Sequence, residues 1–261
     1  MSNTIILGNV TTRYKVGEDD CKIYLGDVLL YPHTAPSGGS IVYTASQKQR
    51  ETTLEQDSGI HSNAFSGTSG QQLTILSHTF VEGQPSGSVI TDGEGTIMFN
   101  DVLSCIGDYA FAGTSIVDVI MPNSVTEIGS HAFYNCLSLI NMNIPSGVTV
   151  IGQGAFQECE NLPSISIPNS VVEIGPRAFY FNLALTTVTI GSGVQEIKGG
   201  AFEGCQSLTS ITCHAVTPPT LGNDVFEFTN DCPIYVPSAS LNDYLADSSW
   251  GEYTNRLLAL N

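Results

Sequence analysis

The sequence predicts a β-rich repeat solenoid, and two regularities predict it. The dipeptide Ala-Phe returns with Phe111, Phe133, Phe156, Phe179 and Phe202, in steps of 22, 23, 23 and 23 residues. A period of this size belongs to solenoids, in which each repeat is one short coil that buries its apolar side only against its neighbours. The second regularity is an alternation that recurs with the same step: Val119/Met121, Met142/Ile144, Ile165/Ile167, Val188/Ile190 and Ile211/Cys213. Period two marks a short strand with those side chains inward. About five coils are expected, with a β cap before them and a strand-plus-helix cap after.

Aligned on Ala-Phe, every other position falls into a column. Val125, Val148, Val171 and Val194 open the coil, with Leu103 equivalent, and Ile106, Ile128, Ile151, Ile174 and Ile197 follow three residues later. The Ile-Gly step reads as a turn in which Gly relieves the backbone. Ile116, Leu139, Leu162, Leu185 and Leu208 complete the interior, and Pro122, Pro145 and Pro168 end the strand, where a residue without an N–H belongs. A ladder of strands then makes one wall and a layer of Phe rings the other. Cys136, Cys159 and Cys205 share a column with Thr114 and Asn182. Stacked coils lie about 4.8 Å apart, which brings Cys136 and Cys159 near bonding range, but small thiols also fill tight buried turns as free side chains. Seven cysteines is an odd number and excludes a full disulfide framework.

The outward strand positions form two columns. One holds Asp118, Asn141, Ser164, Thr187 and Ser210; the other holds Ile120, Asn143, Ser166, Thr189 and Thr212. These describe a flat face of hydroxyls and amides with almost no charge. Asn141, Asn143, Ser164, Ser166, Thr187, Thr189, Ser210 and Thr212 are the candidate binding residues, although Ser and Thr also serve simply as solvated strand residues.

At the C-terminal end, Pro218 and Pro219 close the repeat and Ile234 to Pro237 read as a last strand. Leu241, Tyr244 and Leu245 sit at helical spacing with Ser238 or Ser240 as N-cap. Trp250 and Tyr253 are expected to pack back over the final coil, because a solenoid end must be covered. At the other end, Ile97 and Phe99 precede Val119 and Met121 by 22 residues and are expected as the strand of a degenerate first coil. Residues 1–35 do not fit the repeat. Ile23–Leu25 and Val28–Tyr31 flank Gly26-Asp27 as a β-hairpin, and residues 32–40 read as a linker. The expected organisation is a module at 1–35, a linker and N-terminal cap at 36–99, repeats at 100–216 and a C-terminal cap at 217–261.

Composition narrows function. The chain has 25 acidic and 8 basic residues, a net charge of -17. Residues 51–261 alone hold 21 acidic against 3 basic, a net of -18. Such a surface repels nucleic acid and anionic membranes, and it also keeps a repeat protein soluble. No stretch approaches the ~20 apolar residues of a membrane span, and the opening MSNTIILGNVTTRYKV lacks the basic start and apolar run of a signal peptide.

Catalytic chemistry is not visible. The five histidines (His33, His61, His78, His131, His214) are scattered; His131 and His214 occupy variable columns and read as surface residues. There is no Gly-x-Ser-x-Gly, P-loop or zinc motif. Residues 92–95, DGEG, read as a turn before the GTIMF strand rather than a calcium loop. Glu158 and Glu160, flanking Cys159, read as surface charge. No catalytic residue, metal ligand or cofactor is expected.

The coils IGSHAFYNCLSLINMNIPSGVTV and IGQGAFQECENLPSISIPNSVVE resemble the BspA-type (Treponema-like) leucine-rich repeat. With flanks that are also similar, the resemblance covers about residues 41–261. It implies a right-handed leucine-rich-repeat solenoid and surface proteins of adhesion or recognition, with no catalytic residues carried over. The phrase KIYLGDVLLYP resembles a small module of virion or prophage proteins of gut bacteria.

These readings converge on a non-enzymatic recognition or adhesion protein, exposed on a bacterial surface or outside the cell, that binds a host or bacterial surface protein or a glycan. The alternative is a bacteriophage virion component whose residues 1–35 dock onto other virion proteins.

Overall fold

In the computed structural model, residues 102–114 and 116–261 are described in full, together with the backbone of eight strands among residues 1–101. The chain divides into two compact units, Met1–Ala35 and Pro36–Asn261. In the first, Asn3–Leu7 pairs antiparallel with Val10–Tyr14, and Ile23–Leu25 pairs antiparallel with Val28–Leu30. Its side chains, and the linker expected at 32–40 up to the strand that opens at Ser40, lie outside the described residues.

The second unit is a β-solenoid whose coils pair through two sets of parallel strands. One set is the alternating strand of each coil. The other is a two-residue strand at the Ile-Gly step: Glu127–Ile128, Val150–Ile151, Glu173–Ile174, Glu196–Ile197 and Thr220–Leu221, stacked on Leu103–Ile106. The step read from sequence as a turn is therefore also a ladder. Its glycines have a different reason too. Gly129, Gly152 and Gly175 carry no left-handed φ; a Cβ there would lie 2.7–2.8 Å from backbone atoms of the preceding coil. Close approach of the coils excludes a side chain, although Lys198 stands in this column in one coil.

Left-handed backbone occurs instead around the Ala-Phe dipeptide, twice per coil. Tyr109, His131, Gly154, Arg177, Gly200 and Asp224 form one such column, and Gly113, Asn135, Glu158, Phe181, Gly204 and Phe228 the other. These turns aim N–H groups along the solenoid. Phe111 N donates to Ala132 O at 2.7 Å, Phe133 N to Ala155 O at 2.7 Å and Phe156 N to Ala178 O at 2.8 Å. The small Ala leaves room for the ring beside it. Phe111, Phe133, Phe156, Phe179 and Phe202 stack with centroids 5.0–5.2 Å apart and planes within 8° of parallel. All are fully buried.

The stack continues beyond the Ala-Phe pattern. Phe226 follows Phe202 at 5.7 Å, so one further coil lies inside the segment read as a cap. A Val-Phe dipeptide and a 24-residue step hide it in the sequence. Ile234–Pro237 is not the last strand either, because Leu257–Leu260 pairs parallel beside it. The helix Leu241–Ala246 forms as expected, but Ser240 makes no side-chain cap bond, since the 3-10 turn Ser238–Ser240 already leads the backbone into the helix. The cap closes the final coil through side chains: Trp250 Nε1 donates to Pro219 O at 2.8 Å, and Tyr244 Oη to Ala215 O at 2.8 Å. Trp250 is fully buried and Tyr253 nearly so.

At the N-terminal end, Ile97 and Phe99 lie in the strand Gly93–Phe99, which does not stack directly on the first coil. Ser40–Ala45 intervenes, antiparallel to both Gly93–Phe99 and Ile116–Ile120. An antiparallel strand thus ends the parallel ladder. The strand starts at Gly93, so Gly93, Glu94 and Gly95, read as part of a turn, belong to it.

Among the described residues, no helix is long and apolar enough to cross a membrane.

Candidate recognition face

The outward columns assemble in register. Ser164 pairs with Thr187 and Thr187 with Ser210; Ser166 pairs with Thr189 and Thr189 with Thr212. Between them Ile165, Val188 and Ile211 point into the core with at most 3% exposure, which fixes the hydroxyls outward. Ser164, Ser166 and Thr187 are exposed, and Thr189, Ser210 and Thr212 half-buried. The second column runs on to Tyr235, the register partner of Thr212. Sequence reasoning missed this ring because the coil that holds it lacks the Ala-Phe signal.

Asn141 and Asn143 are exposed in the same two columns, but the face is not one continuous sheet. Asn141–Met142 pairs with Ile116–Ile120, whereas Ser164–Ile167 opens a separate ladder. The column containing Pro163 supplies a reason. Ile140 N donates to Val117 O, Thr186 N to Pro163 O and Thr209 N to Thr186 O. Pro163 has no N–H, so the step from its coil to Ile140 loses its bond.

Hydroxyls at the borders of the strands are used up. Thr186 Oγ1 donates to Pro163 O at 2.9 Å, Thr209 Oγ1 to Thr186 O at 3.0 Å and Thr149 Oγ1 to Thr126 O at 3.1 Å, each tying one coil to the one before. Among the described residues, no such side-chain bond engages Asn141, Asn143, Ser164, Ser166, Thr187, Thr189, Ser210 or Thr212. Their donors and acceptors face outward and are available.

The other singled-out residues take different roles. Cys136 and Cys159 are free, and each thiol donates to a Phe carbonyl of the preceding coil, Phe111 O at 3.0 Å and Phe133 O at 3.1 Å. His214 is exposed, while His131 is half-buried with its ring stacked on Tyr109. Glu158 is half-buried, accepts from Gln157 Nε2 at 3.0 Å and pushes the phenol of nearby Tyr134 up by its charge. Among the described residues, no three His, Cys, Asp or Glu side chains converge on a metal position.

A groove of about 310 Å³ opens between the last coil and the cap, lined by Leu221, Asn223, Asp224, Ser249, Glu252 and Tyr253 among others. Ser249 Oγ donates to Asp247 Oδ1 at 2.6 Å and accepts from Leu221 N at 3.3 Å. The Ser249 hydrogen bond to Asp247 holds that carboxyl below its usual range. The Ser249–Asp247 pair thus ties the cap to the end of the Ile-Gly ladder.

Comparison with known proteins places the repeat. Residues 104–233 match the BspA type leucine-rich repeat region in six copies. Over these residues, just under half of the chain, the repeats match the BspA type. Among solved structures, the chain is similar to the leucine-rich repeat protein TpLRR of T. pallidum, with 31% identity over 52% of this chain and 64% of that one, at a TM-score of 0.48. It is also similar to a leucine-rich repeat protein of Bacteroides ovatus, with 26% identity over 54% of this chain and 49% of that one, at a TM-score of 0.37. The pneumococcal vaccine antigen PcpA shares 19% identity over 60% of this chain and 39% of its own, at a TM-score of 0.48. The chain thus spans less than two thirds of each of these proteins. No curated protein matches it. The matched range runs to residue 233 and so takes in the coil centred on Phe226, which the Ala-Phe pattern leaves out.

Proposed function

We propose that this protein is a non-enzymatic recognition or adhesion scaffold, displayed on a cell surface or outside the cell, whose outward strand face binds a protein or a glycan. One observation carries the reading. Eight polar side chains, from Asn141 to Thr212, stand in two columns with their hydrogen-bonding groups unengaged, while neighbouring border hydroxyls are consumed in holding the coils together. Unengaged donors and acceptors on a rigid ladder lose little entropy when a ligand pairs with them. The face carries one acidic side chain, Asp118, so its partner is recognised by hydrogen bonds more than by charge.

Screening the full chain against arrays of glycans and of bacterial and host surface proteins identifies the ligand. The variant Thr187→Val with Thr189→Val and Thr212→Val keeps the shape of the strands and removes three hydroxyls. The reading expects this variant to lose most of the affinity for the ligand found; unchanged affinity would rule the face out.

A further inference from the structure

The Phe turns carry a second surface that the strand face does not include. Tyr109, 48% exposed, stacks on His131 with ring centroids 4.9 Å apart and planes 5° from parallel. Tyr134 meets His131 edge-on at 5.8 Å. Two coils further on, Tyr180 and Phe181 lie half-buried with centroids 4.5 Å apart. Left-handed backbone at Tyr109, His131 and Phe181 turns these three side chains sideways over the adjacent coil, and glycine makes room for the last two: a Cβ on Gly154 would meet the His131 ring at 2.8 Å, and one on Gly204 the Phe181 ring at 2.6 Å. Carboxylates lie close by. Half-buried Glu158 acts on the Tyr134 phenol, and half-buried Glu203 approaches the same point beside Gly200 as the Arg177 side chain; Glu160 and Glu227, in the same and later coils, are exposed.

We propose that this ridge of aromatic rings and carboxylates docks an extended, arginine- and lysine-rich segment of a partner protein. The ridge already holds one such contact. Arg177, three residues before Tyr180, places its guanidinium 5.3 Å from the Tyr180 ring centre, as His131 lies three residues before Tyr134. A cation over an aromatic face is attracted by the ring quadrupole, and a guanidinium can pair with a carboxylate at the same time. Charge complementarity selects the partner. Residues 102–261 contain 14 carboxylates and three cations. All three cations are engaged: Arg177 on Tyr180, Lys198 with Glu196, and Arg256 over Phe226 and Tyr253. Among the described residues, no ion pair involves Glu158, Glu160, Glu203 or Glu227, so no cation of residues 102–261 neutralises them. A neutral glycan would use the rings and leave these carboxylates idle.

Fluorescence anisotropy of the full chain with two labelled probes tests the proposal: an Arg-Gly repeat peptide and a Glu-Gly peptide of equal length, at physiological salt. Only the Arg-Gly probe should bind. Tyr134→Leu with Tyr180→Leu should weaken it by about fivefold to thirtyfold, the effect of losing two aromatic rings from the ridge, whereas Tyr134→Phe with Tyr180→Phe should retain it. Glu127→Gln with Glu173→Gln removes two charges from the Ile-Gly ladder and should change affinity by less than about twofold. Full binding by the Leu pair, an equal loss in the Gln pair (bulk charge alone), or displacement of the probe by the neutral glucan laminarin overturns the proposal. If the Leu pair melts early, Tyr134→Leu alone gives the reading. Alanine at the strand-face residues should leave probe binding unchanged, so the two surfaces fail separately.

Discussion

The thiol of Cys136 donates to the carbonyl of Phe111 across one coil boundary, at 3.0 Å. Cys159 and Cys205 do the same to Phe133 and Phe179, and Asn182 Nδ2 does so to Phe156 at 3.0 Å. The column therefore selects a short donor. Asn182 fills the role at a cost, because its Oδ1 is buried without a partner. Asn182→Cys keeps the donor and removes the orphaned acceptor. It should stabilise the fold by about 1 kcal/mol, seen as a higher Tm under reducing conditions.

Burial pushes the Cys205 thiol up to about 12 from an ordinary 9.0. Above pH 9 the unfolded chain releases this proton while the folded chain keeps it. Stability is thus fully present below about pH 9 and is lost as pH rises toward 12. Cys159, Cys213 and Tyr244 are shifted the same way by burial. Thermal melts from pH 7 to 10.5 should fall above pH 9, and Cys205→Ala, though less stable at neutral pH, should show a shallower fall.

Replacing Pro163 restores an N–H opposite Ile140 O. Pro163→Thr should form the missing bond and add an Oγ1 tie like those of Thr186 and Thr209. The bond contributes about 0.5–1.5 kcal/mol, and loss of the proline's restriction on the unfolded chain offsets about 0.4–1 kcal/mol of it. Little net change in Tm is expected. The readout is hydrogen exchange: the new amide at position 163 should be protected, joining the two sheets.

Phe156 sits in the middle of the stack, fully buried between Phe133 and Phe179 at 5.2 Å from each. Phe156→Ala should cost about 3–5 kcal/mol in denaturant unfolding. Surface changes in the same coil, such as Gln153→Ala, should stay within about 0.5 kcal/mol.

Much of the interior was legible because each inward position recurs. Val171, Ile174, Phe179 and Leu185 keep their columns, and burial is what a repeated apolar residue reports. The Ile-Gly strands were harder to see, since two residues are too short to show an alternation. Their glycines also look like turn residues until coil-to-coil distance is known. Val225-Phe226 escaped because one substitution and one inserted residue break the period. In the candidate face, Thr187 and Thr189 could be placed outward from Val188 alone. That Thr186, one residue earlier, has its hydroxyl tied to Pro163 O could not, because the bond depends on the neighbouring coil. The aromatic ridge was invisible for a related reason: His131, Arg177 and Gly154 share a left-handed column but no chemistry.

The most direct test of the recognition face is a binding comparison on the ligand recovered from the arrays, between the natural chain and a variant with Asn141→Ala, Asn143→Ala, Ser166→Ala and Thr189→Ala. All four side chains are partly or fully exposed, so the melting temperature should hold within a few degrees. The account predicts that binding falls by at least about tenfold, as the loss of several hydrogen-bonding groups requires. Undiminished binding by a folded variant would contradict it.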